Sequence, residues 1–231
     1  MPPALGLILS ADSMPLIEAR ALCKAYGGSP PVRAVNDVSL SMEPGSIVAI
    51  TGPSGSGKTT LLAMLGALER PTSGSVSFAG IDLTTCSGAE LARVRRRLGF
   101  VFQDFALIPG LAAWENVAYP LIPRGIARRE RFRLAVEWLG RFGLGSKVAT
   151  RAKRLSGGEQ QRVAIARAFA GNPEAILADE PTSNLDTETA DSFLAALVEF
   201  RSAGGAAAIA SHDPRVIDAA SQCFSSRKPA L

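Results

Sequence analysis

The sequence contains few of the residues that build metal centres, disulfide frameworks and aromatic binding surfaces. Its 231 residues include one histidine, three cysteines, two tryptophans and two tyrosines. The cysteines, Cys23, Cys86 and Cys223, are far apart and form no CxxC pair. Neither a structural zinc site nor an iron–sulfur cluster is therefore expected, and we predict three reduced thiols.

Long hydrophobic runs are also missing from the sequence. No stretch approaches the roughly 18 apolar residues of a membrane-spanning helix, so no direct membrane span is predicted. A short apolar patch at residues 4–9 has no basic segment before it and is too short for a signal peptide. We predict a loose N-terminal extension over residues 1–14 and a single domain over residues 15–231.

The charge balance gives only a weak indication of partners. The formal net charge is +4, with 47% hydrophobic and 20% charged residues, which is typical of a folded globular domain. Arginines cluster at positions 93–97 on a predicted helix. Because no set of aromatic residues accompanies them for base stacking, we interpret them as a solvated helix face and expect no nucleic-acid partner.

Short apolar runs alternate with stretches of helical spacing along most of the chain. The first clear unit is an apolar run at 47–50, then a glycine-rich segment, then leucines at helical spacing from Leu61 to Leu68. Such a strand–loop–helix unit opens a parallel α/β fold, with ligands at the carboxyl edge of its sheet. Further strands are predicted within 16–41 and 74–83 and at 98–102, 175–178 and 206–210.

The middle of the chain has a different character. Between about residues 104 and 168 the strand signals disappear, prolines occur at positions 109, 120 and 123, and residues 131–141 have helical spacing. The alternation of strands and helices resumes afterwards. We therefore predict a helical subdomain, at about 104–168, inserted into the α/β domain.

The glycine-rich segment at residues 52–59 fits the phosphate-binding pattern GxxxxGK[ST]. Glycines let the main chain wrap closely around phosphate groups, and the following helix presents its positive N-terminal end to the same charge. Lys58 would supply a positive charge for the terminal phosphates, and the Thr59 hydroxyl can ligate Mg²⁺. The phosphate-binding candidates are Gly52, Ser54, Gly55, Ser56, Gly57, Lys58, Thr59 and Thr60.

Two acidic residues end a later predicted strand. The apolar run at 175–178 is followed directly by Asp179 and Glu180. A buried strand would deliver Asp179 to the sheet edge, where it can hold Mg²⁺, while Glu180 can polarise an attacking water. This pair alone is weak evidence, but its position downstream of a phosphate-binding segment strengthens it.

A second glycine-bearing segment opens another predicted helix. Residues 155–161 read LSGGEQQ, with Ser156 as a typical helix N-cap followed by Gly157 and Gly158. This arrangement predicts a second main-chain anion site. Taken alone, the segment is equally compatible with a well-capped helix that binds nothing.

Together these segments resemble the ATP-binding cassette (ABC) family of P-loop NTPases. The resemblance covers about residues 16–213, and residues 155–161 are similar to the family signature. It implies a mostly parallel sheet core, an antiparallel β subdomain and an inserted α-helical subdomain, with ATP as substrate and Mg²⁺ as cofactor. It also implies an adenine-stacking aromatic at Tyr26, an aliphatic nucleotide contact at Val35, a Q-loop glutamine at Gln103, a D-loop aspartate at Asp186 and a switch histidine at His212.

The resemblance also implies roles for these residues. Glu180, His212 and Gln103 would be catalytic, and Thr59, Gln103 and Asp179 would hold the metal. Family members work as head-to-tail pairs, in which Ser156, Gly157 and Gly158 would reach the nucleotide of a second copy.

Family membership implies partners and a location as well. A transmembrane permease would hold the chain at the cytoplasmic face of the inner or plasma membrane. The segments at 114–121 and 156–167 resemble the branch of lipoprotein-releasing and macrolide-export ATPases.

Two other types of cassette remain as alternatives. One serves a non-transport role at a membrane complex, as in cell division, and would use the same ATP site. The other acts in DNA repair or translation, where long insertions or tandem cassettes are usual, and this sequence has neither.

The sequence also departs from the family pattern in two places. The predicted strand at 206–210 is alanine-rich, and no final strand is expected after Asp213. We therefore predict an incomplete sheet edge at the end of the chain.

Overall fold

The computed structural model describes residues 14–226. The predicted extension at 1–14 thus lies outside the described residues, apart from Met14. The strands of the described part are β1 (Ile17–Tyr26), β2 (Val32–Met42), β3 (Ile47–Thr51), β4 (Ser73–Phe78), β5 (Ile81–Asp82), β6 (Leu98–Val101), β7 (Ala175–Asp179), β8 (Ala206–Ala210) and β9 (Gln222–Ser225).

The helices alternate with these strands after β3. The α-helices are α1 (Lys58–Leu65), α2 (Gly88–Arg95), α3 (Ala113–Ala118), α4 (Arg128–Arg141), α5 (Gly157–Ala170), α6 (Thr187–Ser202) and α7 (Pro214–Ala219). Short 3-10 turns occur at Tyr119–Arg124, Gly145–Lys147 and Ala152–Arg154.

The strands form two sheets with opposite character. The order β6-β7-β8-β3-β9 makes a parallel sheet, and β2-β1-β4-β5 makes an antiparallel one. The predicted fold class, a mostly parallel α/β core with an antiparallel β subdomain and helices, is confirmed. The phosphate-binding segment follows β3 and the acidic pair ends β7, so both lie at the carboxyl edge of the parallel sheet.

Alternate residues of the parallel strands pack on opposite faces of the sheet. On β7, Leu177 belongs to the hydrophobic cluster that contains α1 and the antiparallel sheet, while Ile176 belongs to the cluster that contains α3, α4 and α5. The five alanine-rich positions of β8 are all fully buried. Because both faces are covered, these strands read as continuous apolar runs rather than alternating ones.

The helices α3, α4 and α5 lie together within the segment predicted to be a helical subdomain. Trp114 on α3 stacks edge-on with Phe132 on α4, and Trp138 on α4 stacks against Phe169 on α5. Helix α5 also packs against the core strand β6. The boundaries 104 and 168 stay a prediction.

The expectation of an incomplete sheet edge was wrong. Strand β9 pairs in parallel with β3, with Cys223 opposite Ala49 and Phe224 opposite Ile50. The strand has only four residues, most of them exposed, and only Phe224 packs against the core. An edge strand needs little apolar periodicity because it buries so little surface, and the sequence pattern therefore gave no signal.

Candidate nucleotide-binding site

The segment between β3 and α1 is a tight loop built around glycines. Gly52, Gly55 and Gly57 have φ angles of 143°, 78° and 86°, which favour glycine over other residues. A Cβ atom at Gly57 would lie 2.0 Å from the carbonyl oxygen of Ala34, and one at Gly52 would lie 2.3 Å from that of Ser226. Only glycine fits these two positions.

The loop leaves the N-terminus of α1 without a side-chain cap. Gly57 is the N-cap residue, no side chain accepts from the first turn, and that turn has no acidic residue. The first amide groups of a helix have no partner within the helix, so they need an external acceptor. The positive end of the helix dipole adds to their attraction for an anion.

Lys58 folds back over the same loop. Its buried side chain donates to the carbonyl oxygen of Gly52 at 2.7 Å and to that of Pro53 at 3.3 Å. The hydroxyl oxygen of Ser56 is buried nearby in the loop and has no hydrogen-bond partner among the described residues. The loop therefore holds a cation and an unsatisfied polar atom side by side.

Asp179 reaches the loop from the end of β7. Its Oδ2 accepts a hydrogen bond from the Thr59 hydroxyl at 2.5 Å, and the residue is only 7% exposed. Hydroxyl and carboxylate oxygens are the ligand types that Mg²⁺ prefers, and Mg²⁺ in phosphate sites commonly takes one or two carboxylates beside the phosphates. The Thr59–Asp179 pair therefore fits Mg²⁺ held jointly with a phosphate group.

Glu180 follows in a strained main-chain conformation. Its φ angle is +48°, a region that residues with a side chain rarely adopt. Its amide donates to the carbonyl oxygen of Ala210 at 2.8 Å, and its carbonyl oxygen accepts from the Ser183 hydroxyl at 2.9 Å. Such strain persists only where the surroundings hold it, and it is common in active sites.

His212 stands between the carboxylate and the lysine. Its Nε2 lies 3.6 Å from Oε1 of Glu180 and 3.4 Å from Nζ of Lys58. Because an ammonium group only donates hydrogen bonds, Nε2 acts as the acceptor in the contact with Lys58. Lys58 therefore lies at hydrogen-bonding distance from the imidazole, and the Glu180 carboxylate lies just beyond that distance.

These groups surround one open cleft of about 420 Å³. Most of the predicted phosphate, metal and catalytic residues line it. The lining residues are Val32, Arg33, Ala34, Ser54, Gly55, Ser56, Gly57, Lys58, Thr59, Thr60, Gln103, Asp179, Glu180 and His212.

The predicted nucleotide contacts Tyr26 and Val35 lie outside this lining, as does Gly52 of the phosphate loop. Tyr26 is 42% exposed at the end of β1, paired with Val32 across the hairpin, and Nζ of Lys24 lies 5.1 Å from the centre of its ring. Val35 is buried in the core, behind Gly57. The hairpin contributes Arg33 and Ala34 to the cleft instead.

The residues of the predicted signature lie elsewhere, at the N-terminus of α5. Ser156 is the N-cap, its hydroxyl accepts from the amide of Glu159 at 3.3 Å, and the Glu159 carboxylate accepts from the amide of Ser156 at 2.9 Å. This bond from Ser156 is the main cause that lowers the pKa of Glu159. Ser156 and Gly157 are exposed, and neither they nor Gly158 lines the cleft.

Asp186 is associated with the signature rather than with the cleft. It caps α6 by accepting from the amide of Thr189 at 2.8 Å, and that bond lowers its pKa. A Cβ atom at Gly158 would lie 2.9 Å from the carbonyl oxygen of Asn184, two residues before Asp186. The predicted residues therefore form two groups, one around the cleft and one around the adjoining starts of α5 and α6.

Sequence reasoning missed the hairpin residues Val32, Arg33 and Ala34. They line the cleft because β2 passes beside Gly57, a contact between segments that are distant in sequence. The only available signal was an arginine within an apolar stretch before the phosphate loop, which is too common to identify a site.

None of the helices within residues 14–226 combines the length and the apolar character required for crossing a bilayer.

Known proteins resemble the chain over most of its length. A family model described as ABC transporter matches residues 35–183. The macrolide export ATP-binding/permease protein MacB of Nitrosomonas europaea is 46% identical over 209 residues, which cover 89% of this chain and 32% of MacB. An uncharacterized ABC transporter ATP-binding protein of Mycobacterium tuberculosis is 46% identical over 193 residues, covering 83% of this chain and 58% of that protein.

The fold also matches solved structures closely. The dimeric structure of MJ0796, described as a bacterial ABC transporter cassette, has a TM-score of 0.89 and 38% identity, with 92% of this chain and 94% of that chain covered. A post-hydrolysis state of the same cassette, bound to ADP and Pi, has a TM-score of 0.88 and 37% identity, with coverage of 93% and 97%. The chain spans about a third of the length of MacB. By its family match, its relatives and its fold, the chain belongs to the ABC transporter family.

Proposed function

We propose that this chain is the ATP-binding and hydrolysing subunit of an ABC transporter and drives a substrate through a transmembrane permease. The observation that carries the proposal is the meeting of Lys58, Asp179, Glu180 and His212 in one cleft at the start of an uncapped helix. The likeness to a cassette solved with ADP and Pi supports it.

The phosphate loop would hold the phosphate chain of ATP. The amides of the first turn of α1 donate to the phosphates, and Lys58 adds its charge. In this arrangement Lys58 exchanges its bonds to the carbonyl oxygens of Gly52 and Pro53 for phosphate oxygens. Phosphoryl transfer depends chiefly on such positioning and charge neutralisation.

Thr59, Asp179 and Gln103 would hold Mg²⁺, which when bound neutralises charge on the phosphates. The hydroxyl of Thr59 and the carboxylate of Asp179 are already adjacent, and Gln103 lines the same cleft.

Glu180 would be the general base, because its carboxylate lies at the cleft beside the metal-holding aspartate. The strained main chain aims it away from the direction that an ordinary strand residue would take. His212, between Glu180 and Lys58, would contact the terminal phosphate.

A second copy would complete the site. Ser156, Gly157 and Gly158 are remote from the cleft of their own chain, with Asp186 beside them. A head-to-tail pair would bring the start of α5 to the partner's ATP, and the dimeric structure of MJ0796 supports such pairing. Tyr26 and Val35 would flank the adenosine.

A permease is the other proposed partner. MacB is named an ATP-binding/permease protein for macrolide export, and the similar PvdT of Pseudomonas entomophila, 48% identical over 207 residues that cover 88% of this chain and 32% of PvdT, is named for pyoverdine export. By analogy with these relatives, we propose that this chain pairs with a permease. We also propose that it lies at the cytoplasmic face of the membrane. The similarity to MacB also supports our proposal that the chain belongs to the branch of lipoprotein-releasing and macrolide-export ATPases.

The substitution Glu180→Gln tests the proposal. The variant should bind ATP as tightly as the parent, lose at least about a hundredfold in turnover, and form a stable dimer with ATP. Turnover, ATP titration and light scattering measure these effects, and Glu188→Gln, an exposed acid at the start of α6, is the control. Hydrolysis at the parental rate by the Glu180 variant would contradict the assignment of the base.

Transport itself requires a second experiment. The chain and a candidate permease would be placed together in vesicles, and cargo movement would be followed with and without ATP. ATP hydrolysis without any cargo movement, together with an effect on a cell-division complex, would favour the non-transport alternative.

A further inference from the structure

Arg167 lies in the last turn of α5, at the opposite end of the helix from the signature, and contacts the turn that follows Gln103. Its Nη1 donates to the carbonyl oxygen of Ala106 at 2.6 Å, and its Nη2 donates to that of Phe105 at 2.7 Å. The planar guanidinium group of Arg167 thus donates hydrogen bonds to two successive carbonyl oxygens.

The turn at residues 105–106, which accepts these two hydrogen bonds, has a strained main chain. Phe105 and Ala106 have φ angles of +63° and +44°, both in the left-handed region. This conformation is unfavourable for residues with a side chain. The amides of both residues close short turns, to the carbonyl oxygens of Phe102 and Asp104. Such a turn persists only with outside support, and Arg167 supplies two bonds to it.

The burial and the charge of Arg167 both favour this contact. Burial lowers the pKa of Arg167 to about 10, an effect that the nearby Asp104 opposes. The side chain therefore stays charged at neutral pH. A partly buried charge is costly unless it is hydrogen-bonded, and the two carbonyl oxygens supply these bonds.

We propose that Arg167 is a positioning residue for ATP hydrolysis: it holds the turn at 105–106 and thereby keeps Gln103 at the cleft. This inference rests on the proposed function, since it assigns Arg167 to the same reaction.

The test compares two substitutions of Arg167 with a control arginine. Arg167→Met should lower kcat about ten- to a hundredfold and leave the Kd for ATP within about twofold, because the phosphate loop is untouched. Arg167→Lys should recover part of kcat, since an ammonium group can bond one carbonyl oxygen. The control is Arg131→Met, which removes a bond of Arg131 to the carbonyl oxygen of Ile126 within the region of α4.

A double-mutant cycle separates positioning from general destabilisation. If Arg167 acts through Gln103, Arg167→Met should cause no further loss of kcat in a Gln103→Ala background. Additive losses, or an equal loss in Arg131→Met, would overturn the proposal. If Arg167→Met does not fold, the cycle is run with Arg167→Lys. Failure of the proposed function itself would show differently, as absence of ATP hydrolysis by the unmodified chain.

Discussion

Helices α1 and α5 both have glycine at or next to the N-cap position, and their N-termini are capped in opposite ways. The N-cap of α1 is Gly57, and the helix has neither a capping side chain nor an acid in its first turn. The N-cap of α5 is Ser156, and the side chains of Ser156 and Glu159 each accept a hydrogen bond from the other residue's amide in a capping box.

The difference indicates what each helix end can do. The first amides of α1 remain available and lie in a concave loop with Lys58. We therefore propose that this helix end binds the phosphates of ATP in the cleft of its own chain. At the start of α5, the Ser156 side chain is already an acceptor and Glu159 is an acid in the first turn. This end of the helix is also exposed. It can therefore fold without a ligand and still present Ser156 and Gly157 to a nucleotide on another chain.

Removing the charge at α1 should give the largest effect. Lys58→Ala should weaken ATP binding or turnover about a thousandfold, because a unit charge about 4 Å from a phosphate oxygen contributes roughly 4 kcal/mol at an effective dielectric constant of 20. Isothermal titration and a phosphate-release assay measure the loss. Lys153→Ala, an exposed lysine before the signature, is the matched control. Binding and turnover both within tenfold of the parent would mean that Lys58 is not a phosphate contact.

A matched pair of glycine substitutions sharpens the comparison. Gly57→Ala should weaken ATP binding on the order of a hundredfold, because the added Cβ meets Ala34 and φ is +86°. Gly157→Ala should leave folding and ATP binding by the monomer intact, because nothing lies within 4 Å of its Cβ position. ATP titration and thermal melting of both variants provide the measurement. Similar losses of ATP affinity in the two variants would contradict the proposed difference between the N-termini of α1 and α5.

The smallest expected effect concerns the cap of α5. Ser156→Ala should lower the free energy of unfolding by about 1 kcal/mol, the usual cost of losing a side-chain N-cap. Urea titration measures it. Ser192→Ala is the control, because the Ser192 hydroxyl bonds only to a carbonyl oxygen within α6. An unchanged free energy of unfolding would mean that the capping box does not stabilise the helix in solution.

The cleft was largely predictable because its main parts are local in sequence. The loop at 52–59 directly follows β3, the acids at 179–180 lie at the end of β7, and His212 comes two residues after β8. Parallel strands place their carboxyl ends at one edge of the sheet. Knowing the strands was therefore enough to bring these residues together.

The features that were missed depend on contacts between distant segments. Arg33 lines the cleft only because β2 passes the phosphate loop, and Arg167 reaches the turn after Gln103 only because α5 packs against β6. The left-handed conformation of Glu180 is held by the carbonyl oxygen of Ala210, on the neighbouring strand. No local pattern encodes such contacts.

The alanine strand β8 has a consequence for the dimensions of the cleft. It separates β3, which leads to the phosphate loop, from β7, which ends in Asp179, and its side chains are methyl groups apart from Ile209. Neighbouring strands stand about 4.8 Å apart whatever their side chains. The ends of β3 and β7, from which the phosphate loop and Asp179 leave the sheet, thus stand about two strand spacings apart. This separation is set by the hydrogen bonds between main chains rather than by side chains.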